Sequence, residues 1–178
     1  MGVKHVLKRW LCNLLQIVPP EEMHGIHLDT SKFHWELEGP DTFSDLFEGL
    51  KCWVPEDAIL YFEGGAVEQE VNQYVSARSI PAQSRVALGT IWPRPDFAHV
   101  PATPTNLSEL AEIMQTHAEM ELAMHFHVYR EGEVLLEWHD AFSQPMLLSG
   151  KVAEEDVRSF AEALQTVARK IEPADPSV

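Results

Sequence analysis

Basic residues are scarce in this chain: 13 lysines and arginines stand against 28 aspartates and glutamates, a formal net charge of −15 at pH 7. Such a negative surface repels the phosphate backbone of nucleic acids and anionic lipid headgroups. We therefore expect no nucleic-acid partner. Three of the basic residues, Lys4, Lys8 and Arg9, lie in the first 20 residues, which contain no acid. The rest of the chain has 10 basic and 28 acidic residues, a net charge near −18.

Cysteine is also rare, since Cys12 and Cys52 are the only two in 178 residues. Small secreted domains are usually dense in cysteine because disulfides stabilise them, so this composition fits a reducing compartment. Long apolar runs are missing as well, and none approaches the length of a transmembrane helix. We expect a cytoplasmic protein without a transmembrane segment.

Standard catalytic motifs are absent. The sequence contains no glycine-rich dinucleotide fingerprint, no Walker A loop, no H-E-x-x-H, no G-x-S-x-G and no C-x-x-C. The enzymes that depend on these motifs are therefore excluded, whereas a site assembled from residues far apart in the sequence is not. We expect no cofactor, favour a non-enzymatic role and leave enzymatic activity open.

The clearest periodicity lies at the N-terminus, where apolar residues recur every three or four positions between residues 3 and 18. This spacing predicts an amphipathic helix over 3–18 that ends before Pro19 and Pro20. Its opposite face carries the basic residues. The helix could pack on the acidic body of its own chain, mediate a homo-oligomer or lie on a membrane surface.

Alternating apolar and polar runs predict the secondary structure of the first two thirds of the chain. We expect a strand at 31–38, a short helix capped by Thr42 and Asp45, a buried strand at 58–63, a helix ending before Pro81, a strand at 85–92, a proline-rich connector from Pro93 to Thr105, and a helix from Asn106 to about Met120. Strands that alternate with helices in this way predict two right-handed crossovers in a parallel sheet.

The last third has a different pattern. Two strands, at about 122–130 and 133–140, are joined by Glu131-Gly132, which predicts a two-residue hairpin turn. A short strand at 145–149, a helix from Ala153 to Lys170 and a frayed tail at 172–178 follow. The predicted fold is a single α/β domain over 1–178, with a mixed, partly parallel sheet of five or six strands, helices packed on it, an antiparallel hairpin and a C-terminal helix. The alternative is an α+β fold.

The predicted topology suggests a binding site, because open parallel sheets bind ligands beyond the carboxyl ends of their strands. Two such ends lie close together in the predicted sheet, and a loop stiffened by prolines follows the second. The candidate binding residues are Glu63, Gly64, Gly65, Trp92, Arg94, Asp96, Phe97 and His99.

A second candidate site is a metal centre on the hairpin. If residues i and 263−i pair, then His125, His127 and Asp140 share one face and form a set of two histidines and one carboxylate. In that register His127 faces Leu136, His125 faces Trp138, and His139 points to the opposite face. The parallel topology places this set and the Glu63–His99 site at different edges of the sheet.

The preferred functional hypothesis is a non-catalytic, acidic protein-binding domain, resembling an immunity protein, antitoxin or adaptor in kind, that recognises a partner through the loop from Trp92 to His99. The strongly negative charge favours a basic partner. The alternative is a small metal-dependent or acid–base hydrolase that uses histidine and carboxylate groups.

Overall fold

The computed structural model describes residues 15–65 and 69–173 of the chain. These residues form one sheet of seven strands and four helices of eight residues or more. In chain order the elements are β1 (His34–Leu37), α1 (Phe43–Leu50), β2 (Ile59–Gly64), α2 (Gln69–Arg78), β3 (Phe97–Pro101), α3 (Pro104–Met114), β4 (Ala123–Arg130), β5 (Glu133–Trp138), β6 (Met146–Ser149), α4 (Glu154–Ala163) and β7 (Ala168–Ile171). Single helical turns lie at Pro20–Met23 and Glu119–Glu121.

The strands follow the order β3-β2-β4-β5-β6-β1-β7, and every neighbouring pair is antiparallel. The predicted partly parallel α/β sheet is therefore wrong, and the alternative, an α+β fold, fits. The sheet also has more strands than expected. The two unexpected ones are β3, which lies in the predicted connector, and β7, which lies in the predicted C-terminal helix.

The error in topology comes from the segment after α2. Residues 85–92 were predicted to form a buried strand, yet they make only one isolated bridge, between Val86 and Ile26. The segment instead passes over the face of the sheet, with Val86 and Leu88 packed on it. The chain therefore re-enters the sheet from the opposite end, and β3 runs antiparallel to β2.

Several predicted elements are confirmed within a few residues. The first strand lies at β1, the buried run at β2, and the helix at α1 begins where Thr42 Oγ1 accepts a hydrogen bond from the Asp45 N–H at 3.1 Å. The hairpin between β4 and β5 turns at Glu131 and Gly132, whose φ angles of 51° and 82° are the positive values that a type I′ turn requires.

The predicted C-terminal helix is too long. It ends at Ala163 rather than Lys170, because Gln165 adopts a φ of 54° and the Thr166 N–H donates to the Ala161 carbonyl at 2.9 Å. The chain then reverses and forms the edge strand β7 beside β1. Apolar spacing continues through Ile171, so the periodicity alone did not reveal this reversal.

All four helices contribute to one large apolar cluster on one face of the sheet. Phe43 and Phe47 of α1 pack on Phe126, and Phe43 also packs on Trp138. Phe160 of α4 belongs to the same cluster and packs on Trp53. Each fully buried aromatic or aliphatic side chain of this kind contributes about 1.5–3 kcal/mol. This face supplies most of the hydrophobic stabilisation.

The opposite face of the sheet is covered by irregular segments instead of helices. A smaller apolar cluster joins Leu28 and Val86 of these segments to Ile59, Tyr61 and Tyr129 of the strands. The remaining positions on this face are polar, and they form the site described below.

Two predictions fall wholly or mainly outside the described residues. The N-terminal helix at 3–18 overlaps them only at residues 15–18, which are not helical. Of the predicted tail at 172–178, only residues 172 and 173 are described, and neither belongs to a helix or strand.

Candidate functional site

Buried polar side chains concentrate on the sheet face that the helices leave free. Five of the six buried polar or charged residues in the described part of the chain lie there. They are Glu63, His99, His125, His127 and Glu137, and together with the adjacent His139 we call them the histidine layer. Because unpaired buried polar groups are costly, the hydrogen bonds of this layer determine its state.

A β-bulge on β5 determines which side chains of the hairpin meet. Val128 pairs with Leu136, but Tyr129 pairs with Val134, so Leu135 is an extra residue on β5. A one-residue shift moves every later side chain to the other face of the sheet. His127 therefore faces Glu137, and the predicted partner Leu136 lies in the apolar core.

The same bulge brings His139 to the face on which it was not expected. Its ring centroid lies 5.0 Å from that of His127 and 5.3 Å from that of His125. Its Nε2 lies 3.1 Å from Glu137 Oε1, while Nε2 of His127 lies 3.8 Å from Glu137 Oε2. One carboxylate thus lies between two imidazoles. The side chain of His139 is 39% exposed and forms the solvent side of the cluster.

The protonation states of this cluster follow from burial and from its hydrogen bonds. Loss of hydration lowers the pKa of His127 to about 3, so this ring is neutral at pH 7. The hydrogen bond to Glu137 raises the pKa of His139. Burial raises the pKa of Glu137, but hydrogen bonds from His139 and the Leu28 N–H, at 2.7 Å from Oε2, lower it to below its ordinary value.

Glu63 connects the sheet to the segment that covers it. The Tyr61 hydroxyl donates to Oε2 at 2.8 Å, the Thr90 N–H donates to Oε1 at 2.8 Å, and the Gly89 N–H approaches Oε2 at 3.3 Å. Glu63 is fully buried, so these donors replace the water that the carboxylate has lost. The covering segment is thereby held on the histidine layer at residues 89 and 90.

His125 is the cross-strand partner of Glu63, and both of its ring nitrogens have partners. The Asp140 N–H donates to Nδ1 at 3.0 Å, so Nε2 carries the proton and donates to Thr90 Oγ1 at 3.0 Å. The expected separation of the two candidate sites at different sheet edges is therefore wrong. The antiparallel register places Glu63 directly beside His125.

The predicted metal set of His125, His127 and Asp140 is not brought together. The Asp140 side chain is 60% exposed, and its Oδ1 lies 3.9 Å from the His125 nitrogen that already accepts the Asp140 N–H. Among the described residues, the group with metal-ligand proximity is His127, Glu137 and His139.

His99, a member of the histidine layer, lines a cavity of about 500 Å³. Its Nδ1 is 3.0 Å from the Tyr129 hydroxyl, and its ring packs against Tyr61 and Phe97. Burial lowers its pKa. Arg94, another predicted binding residue, lines the same cavity.

Four other predicted binding residues line a separate cavity of about 420 Å³: Gly64, Gly65, Asp96 and Phe97. The Gly64 N–H donates to the Asp96 carbonyl at 2.9 Å, which joins the end of β2 to the start of β3. Phe97 lines both cavities. Six of the eight predicted binding residues therefore line one or both of two cavities, whereas Glu63 is buried in the histidine layer and Trp92 lines neither cavity.

Trp92 belongs to an exposed apolar surface. Four of the seven large exposed apolar side chains in the described part of the chain lie on two segments that hydrogen-bond to each other; they are Leu15, Ile17, Ile91 and Trp92, which we call the Trp92 patch. The Val18 N–H donates to the Ile91 carbonyl at 3.2 Å, and the Trp92 indole N–H donates to the Leu15 carbonyl at 3.2 Å. The Trp92 side chain does not fill the core, because the residue is 67% exposed.

Sequence reasoning missed Glu137 and His139 because it missed the bulge. The signal that could have revealed them is the alternation His125-x-His127 on one strand and Glu137-x-His139 on the other. Two such polar alternations facing each other indicate a shared polar face, which only a register shift provides.

The described helices include none that combines the length and the apolar character needed to cross a membrane. The candidate site consists of an internal polar layer, two cavities and an exposed apolar surface.

Comparison of the chain with protein-family models, with curated proteins and with solved structures finds no match.

Proposed function

We propose that the protein is a non-catalytic binding module that recognises a protein partner through the Trp92 patch. The observation that supports this proposal is the exposure of adjacent large apolar side chains, with Ile91 at 55% and Trp92 at 67%. Scattered apolar residues on a surface are ordinary, whereas a contiguous group marks an interaction surface.

The patch is suited to binding because its backbone is already ordered. The two segments of the patch are joined by hydrogen bonds, including one from the Arg94 N–H to the Gln16 carbonyl at 2.7 Å. Pro93 and Pro95, on either side of Arg94, restrict the backbone there. An ordered anchor loses less conformational entropy on binding. Tryptophan is also the side chain most enriched among the residues that dominate binding energy at interfaces.

The net charge indicates the chemistry of the partner. The body of the chain outside the first 20 residues, with a net charge near −18, favours a partner that has an apolar pocket for Trp92 and lysine or arginine side chains farther from that pocket. Complementary charge mainly accelerates association and makes the association rate sensitive to salt. The Trp92 indole, once buried in the partner's pocket, would slow dissociation of the complex.

The acid–base hydrolase has less support. His125, His127 and Glu63 are at most 4% exposed, and the carboxylate and His125 are occupied by hydrogen bonds. A general acid or base must reach its substrate within hydrogen-bond distance. Glu63 and His125 instead hold residues 89 and 90 of the covering segment on the sheet.

Photo-crosslinking in the native host tests the proposal. A photoreactive phenylalanine analogue replaces Trp92 in one variant and Val167, which is 74% exposed and remote from the patch in sequence, in the control. We expect a discrete heteromeric adduct from position 92 and none from position 167. Trp92→Ser should abolish co-purification of the crosslinked protein, whereas Val167→Ser should not.

Two results would overturn the proposal. One is an adduct from position 92 only to residues 1–14 of the same chain, identified by mass spectrometry, because the patch would then belong to the protein's own packing. The other is equal crosslinking from positions 92 and 167.

A further inference from the structure

The carboxylate of Glu137 lies between two imidazoles, with a different oxygen directed at each. Oε1 is 3.1 Å from His139 Nε2, and Oε2 is 3.8 Å from His127 Nε2. One ligand atom from each of the three residues lies within 4.8 Å of the others. In a tetrahedral zinc site with bonds of 2.0–2.2 Å, ligand atoms are about 3.3–3.6 Å apart. The cluster therefore needs only small side-chain movements to coordinate one ion.

We infer that His127, Glu137 and His139 form a binding site for one divalent first-row transition-metal ion. Two neutral nitrogens and one carboxylate oxygen are ligands that zinc, iron and manganese accept, whereas calcium and magnesium prefer oxygen alone. Three protein ligands leave at least one coordination position for water. The half-exposed His139 places that position on the solvent side.

The surroundings of the three residues are those of a metal site. His127 and Glu137 are direct partners on the paired strands β4 and β5, so their backbones are rigid. The Leu28 N–H donates to Glu137 Oε2 at 2.7 Å and fixes the plane of the carboxylate, which is the usual role of a group behind a ligand.

His127 differs from His125 in its hydrogen bonds. Its side chain is 1% exposed, and its Nδ1 is the one imidazole nitrogen in the described part of the chain that is buried without a hydrogen-bond partner. Buried imidazoles normally satisfy both nitrogens, as His125 does through Thr90 and Asp140. Nε2 of His127, the nitrogen nearer Glu137, lies 3.8 Å from Oε2, beyond hydrogen-bond distance, so an ion would displace no bond between them, whereas both nitrogens of His125 are occupied.

This site is independent of the proposed partner-binding surface, because its residues do not belong to the Trp92 patch. The protein could bind an ion and no partner, or a partner and no ion. The two proposals are therefore tested separately, and failure of one leaves the other standing.

The test uses the full chain, stripped with a chelator and titrated with Zn²⁺ by calorimetry, with Fe²⁺, Mn²⁺ and Mg²⁺ in parallel. We expect one Zn²⁺ per chain and no saturable binding of Mg²⁺. His139→Ala removes a half-exposed ligand and also the partner of Glu137 Oε1, so the metal-free variant should unfold at a lower urea concentration than the parent chain while remaining folded in buffer. Its affinity for Zn²⁺ should be at least 100-fold weaker. His117→Ala is the matched control, since His117 follows α3 on the helix side, and it should bind Zn²⁺ like the parent chain.

X-ray absorption of the zinc complex identifies the ligands directly. We expect two imidazoles in the parent chain and one in His139→Ala if residual binding is measurable. Absence of 1:1 binding, parental affinity in His139→Ala, or equal losses in His139→Ala and His117→Ala would each overturn the inference.

Discussion

His127 on β4 faces Glu137 on β5, and the extra residue Leu135 creates this pairing. Without the bulge, the turn at Glu131 and Gly132 would place Leu136 opposite His127, and the histidine would face an apolar side chain. A single inserted residue thus exchanges a mixed histidine–leucine pair for a polar histidine–glutamate pair in the interior of the sheet. The stability of the hairpin consequently depends on how well that polar pair is satisfied.

Replacing Glu137 with leucine should lower the free energy of unfolding by about 3 kcal/mol. The substitution leaves the Leu28 N–H buried without an acceptor and removes the partner of His139. Urea denaturation at pH 7 measures the change. Glu133→Leu on the same strand is the control, because the Glu133–Lys151 pair is exposed and contributes at most about 1 kcal/mol. Similar losses in both variants would contradict the assigned role of Glu137.

The two tryptophans Trp92 and Trp138 should differ sharply in their effect on stability. Trp138 is fully buried and its indole N–H donates to the Gln144 carbonyl at 2.7 Å, so Trp138→Ala should cost about 3–5 kcal/mol. Trp92 is exposed, so Trp92→Ser should change the free energy of unfolding by no more than about 0.5 kcal/mol. Denaturation curves of both variants check this. A large loss in Trp92→Ser would show that the indole packs within the fold.

His99 should make stability depend on pH in the mildly acidic range. Burial lowers its pKa in the folded state, whereas the unfolded chain binds a proton near pH 6.5. Below that pH the unfolded state takes up a proton that the folded state does not, so the free energy of unfolding falls as pH decreases. The contribution of His99 is complete above about pH 7.5 and is lost progressively below 6.5, at up to about 1.4 kcal/mol per pH unit.

Burial is the cause of the lowered pKa of His99. The two tyrosines that contact its ring, Tyr61 and Tyr129, are neutral, and Arg85 and Arg94 line the adjacent cavity. Comparing the pH dependence of His99→Gln with that of the parent chain isolates its share. We expect a shallower decrease between pH 7 and 5 in the variant. Identical slopes would rule out this residue as a source.

Gly89 should tolerate no side chain. A Cβ at this position would lie 2.7 Å from Cδ2 and Nε2 of the His125 ring, so either the ring or the covering segment must move. Gly89→Ala should destabilise the fold by about 1–3 kcal/mol and shift the imidazole NMR signals of His125. The imidazole signals of the remote His117 serve as the internal reference. An unshifted His125 spectrum would show that the segment yields instead of the ring.

The strands and helices that local patterns define were predicted well. Thr42 with Asp45 marks the start of α1, and Glu131-Gly132 marks the hairpin, because capping and turn geometry depend on neighbouring residues alone. Element order, by contrast, did not predict strand direction. Residues 85–92 have the composition of a buried strand, but they bury apolar side chains by lying across a face of the sheet instead of pairing as a strand within it.

The candidate site was predicted only in part. His125 and His127 were placed correctly on one face of β4, and Glu63 and His99 on the neighbouring strands were named as candidates. Glu137 and His139 were missed because the bulge at Leu135 has no local sequence signature. Two adjacent leucines, Leu135 and Leu136, stand at this point, and the sequence does not show which of them is the extra residue. The register of a hairpin beyond its turn is fixed by packing on both faces, which a single strand pattern does not contain.

The cover of the histidine layer is made of irregular chain rather than a helix, and this difference has a dynamic consequence. Segments with few backbone hydrogen bonds open in small local fluctuations whose free energy lies far below that of global unfolding. The Thr90 amide, which donates to Glu63, should therefore exchange with solvent deuterium much faster than the amides of β4 beneath it. The rate at which the buried histidines meet solvent would then be set by the covering segment, while the sheet stays intact.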